Sequence, residues 1–396
     1  MLVCKTKQGD WISLVNSDNV EKLKELRKSE AFYCPECEER VILKAGTKKI
    51  PHFAHQKGAV CSESYERESE YHLKGKLALF KWLEMQGLSP ELEPYMKEIA
   101  QRPDLGFTFK DRKYAIEFQC STIPEELFFK RTENYQKADI FPIWIMAGKN
   151  VKRKGTKRVS LSKFDYLFLT RNNFGSWYLP AFCPQMNSLI MIQHILPVTV
   201  KNSLSQYVVK SLQTATISDL IFPKSVVSHK LIDWKKEMSK AKNFTLPQYG
   251  SIHHPFLREL YSNGMMPTML PYEVGLPVRN MQFIETPAIE WQGYLYLDVL
   301  KNRKSVTMQQ ILHSFQKRVR DQDVKLRHLP LERNGNALMA VKVYIQLLVK
   351  LNVLKPINTT IFKVQKQWTI HDNQCNYLES EESFYRKYGK IISENL

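Results

Sequence analysis

The sequence predicts an α/β (α+β) fold, and three observations carry that prediction. Residues 62–150 alternate helical and strand patterns in the order αββαβ, which builds a sheet with helices against it. The stretch in front of them, residues 34–61, gathers cysteines and histidines at metal-ligand spacing. The third is charge. Residues 1–150 hold 24 Lys and Arg against 23 Asp and Glu, while residues 151–396 hold the other 34 against 17, so the back of the chain carries nearly all of the formal net charge of +18. A basic excess of that size calls for a polyanionic partner. The 396 residues suffice for two or three domains, and 43% hydrophobic with 25% charged residues excludes wholesale disorder.

The elements follow in order. LVCKTK and DWISLV read as a hairpin, then a helix capped by Ser17 or Asp18 with Val20, Leu23 and Leu26 on its apolar side. A helix runs from Ser64 to Gln86 on Tyr71, Leu79, Phe80 and Leu83. Phe107 and Phe109 lead into a polar turn, FKDRKY, and Tyr114 to Cys120 then alternates as a strand. That alternation puts Glu117 and Gln119 on one face, with Phe118 and Cys120 turned to the core. A helix starts at Pro124 and the strand DIFPIWIMA follows. KNVKRKGTKRVS (149–160) reads as a basic connector and a boundary. Beyond it DYLFLT, SWYLPAF and SLIMIQHI read as strands, residues 202–260 as helical, and MMPTMLPYEVGLP as a loop.

From Thr307 two helices, MQQILHSFQKRV and ALMAVKVYIQLLVKLNVL, precede a strand pair in TIFKVQKQWTI. That order resembles a winged helix, with Lys317, Arg318, Arg320, Lys325 and Arg327 in the connecting region as DNA contacts. The expected domains are therefore 1–61, 62–150, 151–300 and 301–396, the last two a basic, mostly helical C-terminal region. Val3, Lys5 and Lys7 at the start form no apolar signal core. SLIMIQHILPVTV is too short and too polar to span a bilayer. A cytoplasmic location is expected, and seven cysteines, three of them bunched, point to metal rather than disulfides.

CPEC at 34–37, HFAH at 52–55 and Cys61 offer five donors for four places: Cys34, Cys37, His52, His55 and Cys61. Mixed thiolate and imidazole donors in a closed tetrahedron suit a structural Zn2+, with either His52 or His55 left over. In ESEYHLKGK, Glu68, His72 and Lys76 fall four apart and share one helix face. Asp104 and Glu117 on adjacent strands give two carboxylates, the oxygen donors that Mg2+ or Mn2+ requires. Arg131 and Tyr135, one turn apart on the next helix, are placed to meet backbone phosphates.

These residues carry a resemblance. RPDL…AIEFQCS resembles the PD-(D/E)xK, restriction-endonuclease-like superfamily, and the helix with His72 is similar to that of its RecB-like branch. With the CPEC…HFAH…C lobe in front, residues 1–150 resemble the CoiA family of bacterial competence proteins. The resemblance implies a restriction-endonuclease-like core and a metal-dependent DNA endonuclease acting on DNA taken up in natural transformation and in recombination. It implies His72, Asp104 and Glu117 as ligands of a catalytic Mg2+ or Mn2+, and Gln119 as a water or phosphate contact. The partners it implies are DNA, single-stranded or branched rather than plain duplex, and recombination proteins. One departure matters: Gln119 stands where the superfamily has lysine, and an amide supplies no positive charge. Either Lys76 takes over that task, or the chain is a non-cleaving, DNA-binding accessory protein.

Overall fold

A computed structural model describes residues 1–15, 19–46, 49–56, 61, 69–224, 231–249, 254–365 and 374–395. The chain divides into two compact units. The first comprises Met1–Lys152, Leu167–Gln193 and Tyr207–Ser225; the second comprises Arg153–Tyr166, His194–Gln206 and Val226–Leu396.

The first unit opens with the expected hairpin, β1 (Val3–Thr6) and β2 (Trp11–Ser13), and helix α1 (Val20–Ser29). Ser17 and Asp18 lie outside the described residues. The cap is Asn19, whose Oδ1 accepts the N–H groups of Glu21 and Lys22, both at 3.1 Å. β3 (Phe32–Tyr33), β4 (Arg40–Lys44) and β5 (His52–His55) complete an antiparallel sheet in the order β2-β1-β3-β4-β5.

Helix α2 covers Glu70–Met85 and starts later than expected. Ser69 is extended and its hydroxyl accepts the His72 N–H at 3.2 Å, which sets the helix start there. Glu68 lies outside the described residues. β6 (Glu91–Leu92), β7 (Leu105–Phe109), β8 (Arg112–Gln119), α3 (Glu125–Lys137) and β9 (Ile140–Ala147) follow, the expected αββαβ order with one short strand added. β7 and β8 are antiparallel, and β8 and β9 parallel. Phe118 is buried between Tyr71, His72 and Phe182, with centroids 6.1, 5.9 and 5.7 Å away. A Cβ at Gly75 would stand 2.0 Å from the Phe118 ring, so only glycine lets α2 lie this close to β8.

The boundary at 150 is not where this unit ends. After β10 (Lys152–Arg153), β11 (Arg158–Ser160) and β12 (Thr170–Arg171), the strand β13 (Trp177–Cys183) pairs in parallel with β9 through Ala181↔Met146 and Phe182↔Ala147. β14 (Ser188–Pro197) adds antiparallel to β13. Trp82 of α2 donates to the Ala215 carbonyl at 3.0 Å, just before α4 (Ile217–Ile221). A cut at 150 therefore removes strands and helix contacts from one shared core. Two element assignments also change. Asp165–Phe168 is a single 3-10 turn rather than a strand, and Asn202–Ser211, expected to be helical, is the strand β15. The β-branched and aromatic run Tyr207-Val208-Val209 favours the extended form there.

In the second unit β11 pairs with the start of β15, Arg158↔Leu204 to Ser160↔Asn202. α5 (Leu231–Lys240), α6 (Pro255–Ser262) and α7 (Ala288–Leu295) precede β16 (Ser305–Thr307), α8 (Met308–Arg320) and α9 (Ala337–Lys350). β17 (Leu354–Pro356), β18 (Ile361–Val364) and α10 (Gln374–Glu394) close the chain. Trp291 packs edge-on against Phe315 and Tyr344, centroids 6.0 and 5.5 Å away, tying α7, α8 and α9 together. The small sheet runs β16-β18-β17. Its hairpin starts earlier than expected because Asn352, with φ +58°, ends α9 and frees Leu354 for β17. Residues 366–370 of the expected strand pair lie outside the described residues. Among the described residues no helix is long and apolar enough to cross a membrane.

Candidate active site and metal centre

The cysteine lobe forms around a tight turn between β3 and β4. Cys34 N–H donates to Glu39 at 2.9 Å, Glu38 N–H returns to the Cys34 carbonyl at 3.0 Å, and Glu38 takes a left-handed φ of +58°. This knuckle turns Cys34 and Cys37 to one side. On β5, His52 and His55 are three residues apart and so face opposite sides of the strand. His55 Nε2 sits 3.3 Å from Cys37 Sγ, whereas His52 Nδ1 lies 2.9 Å from the Ile50 carbonyl. The donor atoms of Cys34, Cys37, His55 and Cys61 lie within 4.8 Å of one another. Among the described residues no other set of three or more such side chains is gathered this closely. His52, one of the five sequence candidates, is thus not in the cluster. Burial pushes the Cys34 thiol above its ordinary range, and a cation among three sulfurs is what would hold it as thiolate. A Cys3His set of this kind could hold a metal such as zinc.

The carboxylates meet on the large sheet. The register Leu105↔Ile116 brings Asp104, just ahead of β7, beside Glu117 of β8. Asp104 Oδ2 accepts the Phe118 N–H at 2.8 Å and lies 3.1 Å from His72 Nε2. Lys76, four residues further along α2, has a side chain only 2% exposed. Its Nζ bonds Glu93 and stands 3.6 Å from Asp104 Oδ1. Burial by itself would raise the Asp104 carboxyl, but the His72 and Lys76 charges outweigh it and bring it down to about 2.

Glu117 goes the other way. Burial, and then the Asp104 charge, push its carboxyl up to about 7 against the pull of Arg131. Its Oε1 accepts from both Arg131 and Tyr135. This corrects the expected role of those two residues. Tyr135 is fully buried, and Arg131 also donates to the Arg102 carbonyl at 3.0 Å, so both brace Glu117 instead of presenting themselves to phosphates. Gln119 is buried and donates to the Ser121 carbonyl at 3.0 Å. His72 and Asp104 are thus together, while Glu117 is turned to Arg131 and Tyr135, and the expected three-ligand set is not closed.

Glu93 was missed in the sequence. It has a left-handed φ of +50°, and its carboxylate accepts the N–H groups of Leu2 and Val3 at 2.9 to 3.2 Å as well as Lys76. Only its place just before Pro94 hinted at a constrained position.

Comparison with known proteins places this arrangement. Residues 15–64 match the N-terminal domain of competence protein CoiA, residues 68–225 its nuclease-like domain and residues 227–376 its C-terminal domain. Competence protein CoiA of Bacillus subtilis (strain 168) is 32% identical over 379 residues, covering 94% of this chain and 99% of that protein. The chain belongs to the CoiA family. No solved structure matches it. The CoiA nuclease-like domain, like the first unit, runs to residue 225, so its sheet includes β13 and β14.

Within the CoiA C-terminal domain the expected DNA contacts divide. Lys317, Arg320 and Lys325 are exposed. Arg318 is not available: its guanidinium binds Glu259, Asp298 and Asp323 and stacks 4.4 Å over Tyr294. Arg327 is buried over Tyr166 and donates to the Ile284 and Val200 carbonyls at 2.7 and 2.9 Å. Three carboxylates around one arginine make a packing device, not a phosphate site.

Proposed function

We propose that the chain is a Mg2+- or Mn2+-dependent DNA nuclease that processes DNA taken up in natural transformation and serves recombination in the cytoplasm. The observation that carries this reading is Lys76 Nζ lying against Asp104, beside Glu117, in a family with a nuclease-like domain. Asp104 and Glu117 are hard oxygen donors near enough that the Asp104 charge raises Glu117, and one is held ionised while the other resists ionisation. That is the conflict a divalent cation relieves. Asp104, Glu117 and His72 would hold it, and when bound it would supply Lewis acidity at the scissile phosphate.

The side chains do the rest. Lys76 presents the positive charge that Gln119 lacks, and Glu93 fixes where that charge stands. Arg131 and Tyr135 hold the Glu117 carboxylate. DNA is the partner that both the nuclease-like domain and the basic second unit favour, with the closed Cys3His lobe as a structural Zn2+ site. The order α7-β16-α8-α9-β17-β18 with sheet order β16-β18-β17 supports reading residues 288–364 as a winged helix.

The second reading, a non-cleaving accessory protein that holds DNA for recombination, draws on one observation. Gln119 is turned to Ser121 while protein cations already occupy both carboxylates.

Cleavage of labelled DNA with Mn2+ by three variants tests the proposal. Lys76→Ala should lose roughly a hundredfold in rate, about 3 kcal/mol of transition-state stabilisation, and keep DNA binding. Because it strands a buried Glu93, Lys76→Met/Glu93→Gln separates lost chemistry from lost stability. Gln119→Lys should be tolerated. Full activity in Lys76→Ala would overturn the role given to Lys76, and cleavage seen only in Gln119→Lys would favour the accessory reading.

A further inference from the structure

Residues 301–365 hold thirteen Lys and Arg against three Asp and Glu, more than half the net charge of the whole chain. One of those three acids, Asp323, is bound by Arg318. The small sheet shows where the excess is displayed. Its register sets Ser305, Lys363 and Lys355 in one row, and Val306, Phe362 and Pro356 in the next. Val306, Phe362 and Leu354 are buried, so the face with Lys355 and Lys363 is the solvent face.

Two features of that face are costly for a hairpin with nothing to bind. Lys355 and Lys363 are directly opposite across β17 and β18, where side chains stand ~5 Å apart and like charges destabilise the pair. Neither meets a carboxylate among the described residues. At the turn Ile357 is 61% exposed. The turn itself is built: Asn358 Oδ1 accepts the N–H groups of Thr360 and Ile361 at 2.9 and 2.8 Å, and Ile357 N–H donates to Ile361 at 2.8 Å. A shaped tip carries an apolar side chain into water, flanked by two cations facing each other.

We infer that the hairpin 354–364 is a duplex-DNA contact, with Lys355 and Lys363 on phosphates and Ile357 in the minor groove. The inference rests on DNA being the partner, as proposed above. Phosphates relieve the lysine repulsion, and the minor groove, ~6 Å wide, admits one aliphatic side chain between its two phosphate rows. An acidic protein surface would use the lysines but gives no reason for a lone exposed isoleucine between them. The contact also differs from those the sequence suggested, because it lies after α9 and not at the end of α8 or just beyond it.

The test measures binding of the full chain to a fluorescent duplex of about 30 base pairs, and to one of its strands, at several salt concentrations. Lys355→Ala/Lys363→Ala should weaken duplex binding roughly tenfold and lower the log–log salt slope by about 2. The same variant should melt no lower than the parent, since it removes a repulsion. Ile357→Ser should weaken duplex binding with the slope unchanged and leave single-strand binding as it was. Parent-like affinity and slope in the lysine variant would overturn this inference alone. Equal losses on both DNAs for Ile357→Ser would overturn its assignment to the duplex groove. No binding by the parent chain would overturn both it and the DNA reading beneath it.

Discussion

Serine in place of Cys34 or Cys37 is expected to abolish metal binding and to destabilise the first unit by several kcal/mol. Structural zinc in small lobes supplies ~10 kcal/mol or more of apparent folding energy. The five-stranded sheet around this site has some core of its own, so a loss of about 5 kcal/mol is the expected scale, or roughly 10–20 °C in melting temperature. The damage should travel. β1 belongs to the same sheet as β5, and the N–H groups of Leu2 and Val3 hold Glu93, which holds Lys76. Cleavage should therefore fall along with lobe stability, although Cys34 and Cys37 belong to the metal cluster and not to the carboxylate site. Elemental analysis should give about one zinc per chain. Purified, unchelated protein without zinc would refute the structural-zinc reading.

Glu117→Gln is expected to move activity and stability in opposite directions. Activity should fall at least a hundredfold, because one of two carboxylates is gone. Stability in EDTA should rise at alkaline pH. The folded Glu117 carboxyl titrates at about 7 against an ordinary 4.5, so the folded state favours its protonated form. Below about pH 4.5 both folded and unfolded chains are protonated, and the full stability of the folded form is present. As pH rises through 7 the folded chain must ionise a buried carboxyl and that stability is lost, by at most about 3 kcal/mol. Glutamine escapes the loss and keeps acceptor contacts to Arg131 and Tyr135. The melting difference between variant and parent should thus be near zero at pH 4.5 and largest above pH 7. With Mn2+ added the parent should gain stability and Glu117→Gln should not. A variant less stable than the parent at pH 8 in EDTA would contradict this electrostatic picture.

How far the sequence could reach depended on the range of each interaction. Cys34, Cys37 and Cys61 were legible because ligand spacing survives in one dimension, whereas strand alternation only sets His52 and His55 on opposite faces, and the contact of His55 with Cys37 makes the choice. That Asp104 and Glu117 come side by side was legible because a short hairpin joins them. Glu93 was not, since its partners Leu2, Val3 and Lys76 are distant in sequence and meet only through the sheet. Arg131 and Tyr135 were found but misread: helical spacing shows that two side chains share a face, not whether the face looks to solvent or to a buried carboxylate. Arg318 failed for the same reason. The strand at 202–211 was missed because Ser and Gln interrupt its apolar pattern, and it is paired by residues 158–160.

Incubation of the purified full chain with labelled single-stranded, duplex and branched DNA, in Mn2+ and in EDTA, beside Asp104→Ala, decides whether the carboxylate site cuts DNA. Asp104 holds His72 and the Phe118 amide on Oδ2 and faces Lys76 with Oδ1, so its loss disables every proposed role of the site at once. The expected result is cleavage by the parent in Mn2+, none in EDTA, and none by Asp104→Ala, with DNA still bound in each case. A parent chain that binds DNA without cutting it in Mn2+, or an Asp104→Ala chain that cuts as well as the parent, would contradict it.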